Sequence, residues 1–324
     1  MPGGSSAVGL GDLIRDAVGR LAEAGIPSPQ ADAELLAAHV WSLSRAELQA
    51  KMISDTGESA GGIEAQDRFW ALIGERQHRI PLQHLTGMAP FRWLELKVGP
   101  GVFIPRPETE TVVDLVLHKL RELSSKGISH PRVVDLGTGS GAIAASIALE
   151  YPAAEVHAVE VSTEAAAWAQ LNFDNLPQDA SSVILHHCDL RDFAADWRSD
   201  PNRAAESFDL VVSNPPYIPP NMVPVEQEVR EHDPDIALYG GGPDGLDLPT
   251  AVLHTAKEVL ASGGWLVLEH AEVQADALAA LCSGDPMLEG VETHWDLTGR
   301  KRATSATIQG PRRGAVQHAL KRTA

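Results

Sequence analysis

The chain has 324 residues, 44% hydrophobic and 22% charged, as expected of a globular protein long enough for about two domains with substantial cores. Two cysteines, Cys188 and Cys282, exclude a disulfide framework or a cysteine-based metal centre. The net charge of −18 hides a split: residues 297–324 hold seven basic side chains and no acid, which leaves 19 basic against 44 acidic groups before them, and a body at −25 repels phosphate backbones.

The opening MPGGSSAVGL lacks a basic start and an apolar stretch, so no signal peptide is expected. No uncharged apolar run is long enough for a bilayer, and the cytoplasm is the default compartment. Residues 10–80 carry helical spacing, first at Leu10, Leu13, Ile14, Val18, Leu21 and Ala22. Gly25 and Pro27 stop that helix, and Ser28 with Pro29 starts another. ADAELLAAHVWSL and AQDRFWALIGERQH continue the pattern around a Gly-rich break at Gly57–Gly62, which predicts a bundle of four or five helices. From residue 81 the character changes. FRWLELKVGPGVFIP is rich in β-formers and broken at Gly99, Pro100 and Gly101, where a hairpin turn is expected.

Beyond residue 108, strands at 131–136, 155–161, 183–188, 208–213 and 264–269 alternate with helices, including TETVVDLVLHKLREL, AIAASIALEY, TEAAAWAQLN, LPTAVLHTAKEVLA and EVQADALAALC. This rhythm predicts a parallel sheet covered on both faces. Strands at 291–297 and 303–309 lack an intervening helix, as an antiparallel pair at one edge would. The Pro- and Gly-rich stretch 218–247 has no evident element, and long loops of this kind are commonly functional. The basic tail is expected to be solvated and disordered.

Residues 133–144 lead from an apolar strand through Asp135 into Gly137-Thr138-Gly139-Ser140-Gly141 and then a helix. Glycine lets the backbone bend sharply and approach a ligand. A glycine turn at a strand's carboxyl end is where open α/β sheets bind nucleotides. Glu160 closes the next strand, 23 positions after Gly137, at a distance suited to accepting hydrogen bonds from ribose hydroxyls. These features narrow the ligand to an adenosine cofactor, and leave NAD and S-adenosylmethionine both open. Asp189 and Leu190, after the third strand, are placed for an adenine amino group and ring; an Asp there equally serves as a helix cap.

A strand at 208–213 runs into Asn214-Pro215-Pro216-Tyr217. Two prolines stiffen the corner and remove two donors. The Asn214 side-chain oxygen and the Pro215 carbonyl remain as acceptors for one NH2 group. An amide nitrogen is a poor nucleophile because its lone pair is delocalised. Acceptors on both N–H bonds favour a pyramidal nitrogen and stabilise the charge that develops on it, and alignment supplies much of the remaining acceleration. Tyr217 offers a flat face for stacking. Glu269-His270 reads as hydrogen-bonded structure at a strand end, and the 13 histidines show no metal-ligand spacing, so no metal centre is expected.

Together these residues resemble the class I methyltransferases that alkylate planar NH2 nitrogens, which include DNA adenine-N6, rRNA guanine-N2 and protein glutamine-N5 enzymes. The closer resemblance, over nearly the whole chain, is to the release-factor glutamine methyltransferases (PrmC/HemK family). It is carried by Arg79-Ile-Pro-Leu-Gln83, Gly87 and Phe91; by Phe103-Ile-Pro-Arg-Pro-Glu-Thr-Glu110; and by Arg230, Pro234, Ala237-Leu238 and Gly241-Gly-Pro-Asp-Gly245-Leu. Glu269-His270 with Gln274 and Asp296-Leu-Thr-Gly-Arg300-Lys-Arg302 complete it. Glu160, His84 and Asp233 depart from that family's usual residues, none within Asn-Pro-Pro-Tyr.

The resemblance implies a Rossmann-like class I domain with a mostly parallel seven-stranded sheet over 108–309. A helical substrate-recognition domain over 1–87 and a β-hairpin linker over 88–107 precede it, and a basic tail over 310–324 follows. It implies S-adenosyl-L-methionine as methyl donor, with S-adenosyl-L-homocysteine as product, bound by Gly137, Thr138, Gly139, Ser140, Gly141, Glu160, Asp189, Leu190 and Asn214. Asn214, Pro215, Pro216 and Tyr217, with Arg106 and Glu108, would hold the substrate, Arg106, Pro107, Glu108 and Thr109 would line the site from the junction, and Asn214, Pro215 and Tyr217 would carry the chemistry. The implied partner is a class I peptide-chain release factor, methylated by a monomer on the glutamine N5 of its Gly-Gly-Gln motif. A ribosomal-protein glutamine remains an alternative that sequence physics does not separate. A nucleic-acid amino group is disfavoured by the acidic body, and a non-enzymatic cofactor-fold binder by the intact Asn-Pro-Pro-Tyr.

Overall fold

The computed structural model describes residues 9–54 and 62–310; the expectations for the basic tail beyond Gly310 and for most of the Gly-rich break lie outside the described residues. The chain divides into two compact units. One takes the residues up to Met88 together with Pro224–His232, and the other takes Ala89–Val223 and the chain from Asp233 onward.

The first unit holds helices Leu10–Glu23, Pro29–Trp41, Arg45–Ile53, Ile63–Gln77 and Leu82–Thr86. The last lies where the sequence pattern pointed away from helix, since five residues are too few to set a period. Ser44 starts its helix by a reciprocal capping box, its hydroxyl accepting from Glu47 N at 3.2 Å and its own N–H donating to Glu47 Oε2 at 2.8 Å. Ile14, Leu21, Leu36, Leu48, Phe69 and Ile73 fill the core. Each contributes roughly 1.5–3 kcal/mol through burial. Arg76, buried, pairs with Asp32 at 2.8 Å and with Glu228 at 3.0 Å, and Arg79 joins Glu228 at 3.1 Å. These pairs fasten the short helix Gln227–His232 to the bundle. That helix and Asp235–Leu238 occupy the stretch in which no element was expected, each below two turns.

Strands β1 (Met88–Phe91) and β2 (Leu94–Lys97) form the expected hairpin, but its turn is Arg92–Trp93 rather than Gly99–Gly101. The glycine has a different job: a Cβ at Gly99 would lie 2.5 Å from the Trp168 ring. Close packing, not chain reversal, demands glycine at this position.

The second unit is built on a seven-stranded sheet in the order β5-β4-β3-β6-β7-β9-β8. Its strands are β3 (Arg132–Leu136), β4 (Glu155–Glu160), β5 (Val183–His187), β6 (Phe208–Ser213), β7 (Leu260–Glu269), β8 (Leu288–Trp295) and β9 (Lys301–Ile308). β3 to β7 run parallel, whereas β9 is antiparallel to both β7 and β8. Alternate residues feed two cores. Val133, Leu210 and Val212 pack under helices Glu110–Ser125 and Ala142–Glu150, and Val134, Leu136 and Val211 pack on the opposite face. Burial on both faces is why these strands read as continuous apolar runs.

The opposite face is covered partly by Leu190–Ser199, a helix absent from the sequence reading although Leu190, Phe193, Ala194 and Trp197 mark its buried stripe. β7 begins at Leu260, four residues before the expected start, and takes in Leu260 and Ala261, which the spacing placed at the end of the preceding helix.

Candidate functional site

After β5 the chain returns to the other side of β3, so β3 and β6 flank the point where strand order reverses, the position at which open α/β sheets bind ligands. Asp135 pairs in register with Val212, and Ser213 Oγ donates to the Leu136 carbonyl at 2.5 Å. The glycine loop after β3 and Asn214 after β6 therefore emerge side by side. On the other flank Leu136 pairs with Val159, which sets Glu160 beside the loop.

The loop takes left-handed backbone angles at Gly137 (φ 74°), Gly139 (φ 57°) and Gly141 (φ 85°). A Cβ at Gly137 or Gly139 would meet nothing within 4 Å, whereas one at Gly141 would lie 2.6 Å from the Phe173 ring. The three glycines thus divide the work: two leave an open surface, and the third lets the helix start against the core. Glu160, 8% exposed, accepts from Gly139 N at 2.8 Å and from Ser162 N at 2.9 Å, one bond to each carboxylate oxygen. Each oxygen keeps lone-pair capacity for a further donor.

Asp135 is wholly buried. Its Oδ2 accepts from Thr138 at 2.6 Å, but Oδ1 has no partner. Burial pushes its carboxyl up to about 7, and nearby Glu160 adds to the rise. Buried Asn172 braces the loop, donating to Ser140 O at 2.8 Å and to Lys97 O at 3.0 Å. An open glycine surface, a carboxylate with spare acceptor sites and an unpartnered buried oxygen fit an adenosine cofactor with a cationic substituent. Asp189 caps the helix that follows, accepting from Arg191 N at 2.9 Å, and also pairs with the Arg191 side chain. Leu190 is the first residue of that helix, buried in the core beneath it.

At the β6 corner, Asn214 Nδ2 donates to Thr109 Oγ1 at 3.1 Å. Among the described residues no donor reaches Asn214 Oδ1 or the Pro215 carbonyl. The backbone beyond is held: Tyr217 O accepts from Gln274 Nε2 at 2.7 Å, and Ile218 N donates to Leu238 O at 2.9 Å. Gly245 also presses against this corner, since a Cβ there would stand 2.2 Å from Tyr217 O. Tyr217 is partly exposed as a residue, but its phenol is turned to Glu269 and Arg302, and burial with the Glu269 charge drives its pKa well above the ordinary value.

From the segment before helix Glu110–Ser125, Arg106 pairs with the buried Asp233 at 2.9 Å and lies over the Phe103 ring at 5.1 Å. Glu108 acts on both Tyr217 and Glu269 as a like charge. Thr109, expected with Arg106, Pro107 and Glu108 to line the site from the junction, reaches Asn214, whereas Gln274 and Asp233 carried no local signal as site-builders. His270 is satisfied by Ala271 O and Thr304 Oγ1, both at 2.9 Å, as expected of a strand-end residue. Glu269 is not, because its Oε2 is buried without a partner.

Comparison with known proteins finds matches to both parts of the chain. Residues 12–87 match the PrmC N-terminal domain and residues 94–223 the methyltransferase small domain. The chain is 41% identical over 295 residues to the release factor glutamine methyltransferase of Bifidobacterium longum, covering 90% of this chain and 97% of that one. It is 41% identical over 294 residues to that of Streptomyces coelicolor, covering 90% and 96%, and 39% identical over 298 residues to that of Mycolicibacterium smegmatis, covering 92% and 97%. With such relatives matched almost end to end, the chain belongs to the release factor glutamine methyltransferase family.

Proposed function

We propose that this enzyme transfers the methyl group of S-adenosyl-L-methionine to the side-chain N5 of the glutamine in the Gly-Gly-Gln motif of class I peptide-chain release factors. The observation that carries the reading is the pair of free acceptors, Asn214 Oδ1 and the Pro215 carbonyl, beside the glycine loop. The cofactor supplies an electrophilic methyl on a sulfonium. Glu160 is assigned to its ribose, Asp189 and Leu190 to its adenine edge and ring, and the Gly137–Gly141 backbone to its approach.

Asn214 and Pro215 each accept one N–H of the substrate carboxamide. Drawing both hydrogens toward fixed acceptors loosens the nitrogen lone pair from the carbonyl and aims it along the line of transfer. As the C–N bond forms, positive charge grows on nitrogen next to two oxygens already oriented to meet it. The alkylated nitrogen becomes acidic and gives up its proton late, so no strong base is required. Tyr217 stacks on the planar amide, and Arg106 and Glu108 line the approach.

No helix among the described residues is long and apolar enough to cross a membrane. The reading places the enzyme in the cytoplasm, acting as a monomer without stable nucleic-acid binding, in keeping with its acidic body. The test is incubation with labelled cofactor and, separately, a release factor, its Gly-Gly-Gln glutamine-to-alanine variant, a ribosomal protein and DNA, followed by mass-spectrometric location of the methyl. Label on the release-factor glutamine alone is expected. Label on any other acceptor, or undiminished label on the alanine variant, refutes the assignment.

A further inference from the structure

β6 and β7 run parallel with Ser213 opposite Leu268, so Asn214, just past the end of β6, comes beside Glu269, the last residue of β7. Thr109 lies with them, 4% exposed, and its oxygen accepts from Asn214 Nδ2 at 3.1 Å. A threonine hydroxyl that accepts there still has its own proton to give. The Thr109 and Tyr217 hydroxyls both lie against the Glu269 carboxylate and lower its raised pKa, while its Oε2 has no hydrogen-bond partner. Arg302 supplies the nearby positive charge and is itself held by Asp296, Nε and Nη2 each 3.1 Å from Oδ2.

We propose that Glu269 is a positioning residue for methyl transfer, fixing the Thr109 hydroxyl as donor to itself and acceptor from Asn214, so that the Asn214 amide presents its oxygen to the substrate. The inference rests on the reading of Asn214 as an acceptor for the substrate amide. An asparagine amide has nearly the same shape after a half-turn about its last bond. Flipped, Asn214 would offer an NH2 group to the substrate NH2, with no lone pair for it. Thr109 decides between the two orientations only if its proton is committed elsewhere, and an anionic Glu269 commits it. The same carboxylate holds the Tyr217 phenol, so one buried charge orients both ends of the tetrapeptide.

Burial pushes Glu269 up to about 7. The titratable and charged groups facing it are Glu108, which raises it further, and Arg302 and Tyr217, which lower it. Once protonated, Glu269 loses its charge and becomes a much weaker acceptor, and the Thr109 proton is less firmly committed. Turnover at saturating cofactor and release factor therefore rises with pH through about 7.

The experiment measures kcat, KM and pH profile for methylation of a release factor by Glu269→Gln, Thr109→Val, Thr109→Ser and the Thr109→Val/Glu269→Gln double variant of the full chain. Affinity for S-adenosyl-L-homocysteine is measured alongside by calorimetry, with Asn214→Ala as reference. Glu269→Gln and Thr109→Val should each lose roughly tenfold to a hundredfold in kcat, the worth of a charge-assisted hydrogen bond. Cofactor affinity stays within about threefold, since no cofactor contact is assigned to either. Thr109→Ser retains turnover, the double variant falls little below the worse single one, and the rise through pH 7 disappears in Glu269→Gln. Wild-type kcat and pH profile in Glu269→Gln, or fully additive losses, overturn the inference. If Glu269→Gln does not fold, the Thr109 pair decides: equal turnover of Val and Ser overturns it. Loss in Asn214→Ala with wild-type behaviour in the others removes this inference alone, whereas an active Asn214→Ala removes the underlying reading.

Discussion

Gly139 and Gly141 sit two residues apart in one loop, yet alanine at each should fail for a different reason. At Gly141 three contributions combine. Left-handed backbone at φ 85° costs a Cβ-bearing residue about 1–2 kcal/mol. The Cβ would stand 2.6 and 2.8 Å from two Phe173 ring carbons, with the Ala169 backbone behind at 3.5 Å, and such overpacking costs about 1–3 kcal/mol. The stiffer unfolded chain returns about 0.4–1 kcal/mol. The balance centres near 3 kcal/mol, or about 6–12 °C of melting temperature for a unit of this size. At Gly139 the same backbone strain applies, but no atom lies within 4 Å, so the net loss is about 1 kcal/mol. There the methyl group projects over the open loop surface where the cofactor is assigned, and affinity for S-adenosyl-L-homocysteine should fall at least about tenfold, a loss of about 1.4 kcal/mol. Thermal unfolding without ligand and calorimetric titration of both variants test this. Gly139→Ala melting below Gly141→Ala, or binding with wild-type affinity, refutes the division of labour.

Three further outcomes are expected. Asn214→Ala should lower kcat by about 10²–10³, as loss of one preorganised electrostatic partner does, with calorimetric cofactor affinity little changed; turnover within fivefold of wild type contradicts the mechanism. Arg76→Met strips the buried Asp32 of its cation, also leaves Glu228 with Arg79 alone, and should destabilise the helical unit by about 3–5 kcal/mol; an unchanged urea midpoint for that unit's unfolding speaks against it. Asp135 is raised from 3.8 to about 7, so the folded protein holds that proton more tightly, and the resulting stabilisation is complete below pH 4 and lost as pH climbs through 7. Asp135→Asn should therefore lose less stability than wild type between pH 5 and pH 8 in denaturant titrations of the ligand-free protein, and equal losses would assign the dependence to other groups.

Where sequence foretold structure, one local rule was enough. Phe208–Ser213 reads as a buried strand because every residue in it is buried, and the loop from Gly137 to Gly141 reads as a ligand turn because only glycine takes three left-handed angles in five residues. Where it fell short, the cause was a partner far along the chain. Gly99 resembled a turn residue because Trp168, which it accommodates, is 69 positions away. Helix Gln227–His232 was invisible because Arg76 and Arg79, rather than its own spacing, hold it. Glu269 looked like an ordinary strand end, since its unmatched oxygen is defined only by Thr109, Tyr217 and Arg302, which three other segments deliver. The Leu190–Ser199 stripe was available locally and was masked by the acidic and basic residues between its apolar ones.

The return of Pro224–His232 to the helical bundle makes that bundle discontinuous in the gene product. A ribosome that has released only the first 88 residues has not yet supplied Glu228, so Arg76 and Arg79 await their acid until the sheet's central strands have been made. Completion of the bundle is thereby tied to synthesis of the catalytic unit. A recombination event that swapped the amino-terminal segment at residue 88 would separate two arginines from their shared carboxylate, which ties the inheritance of the two units together.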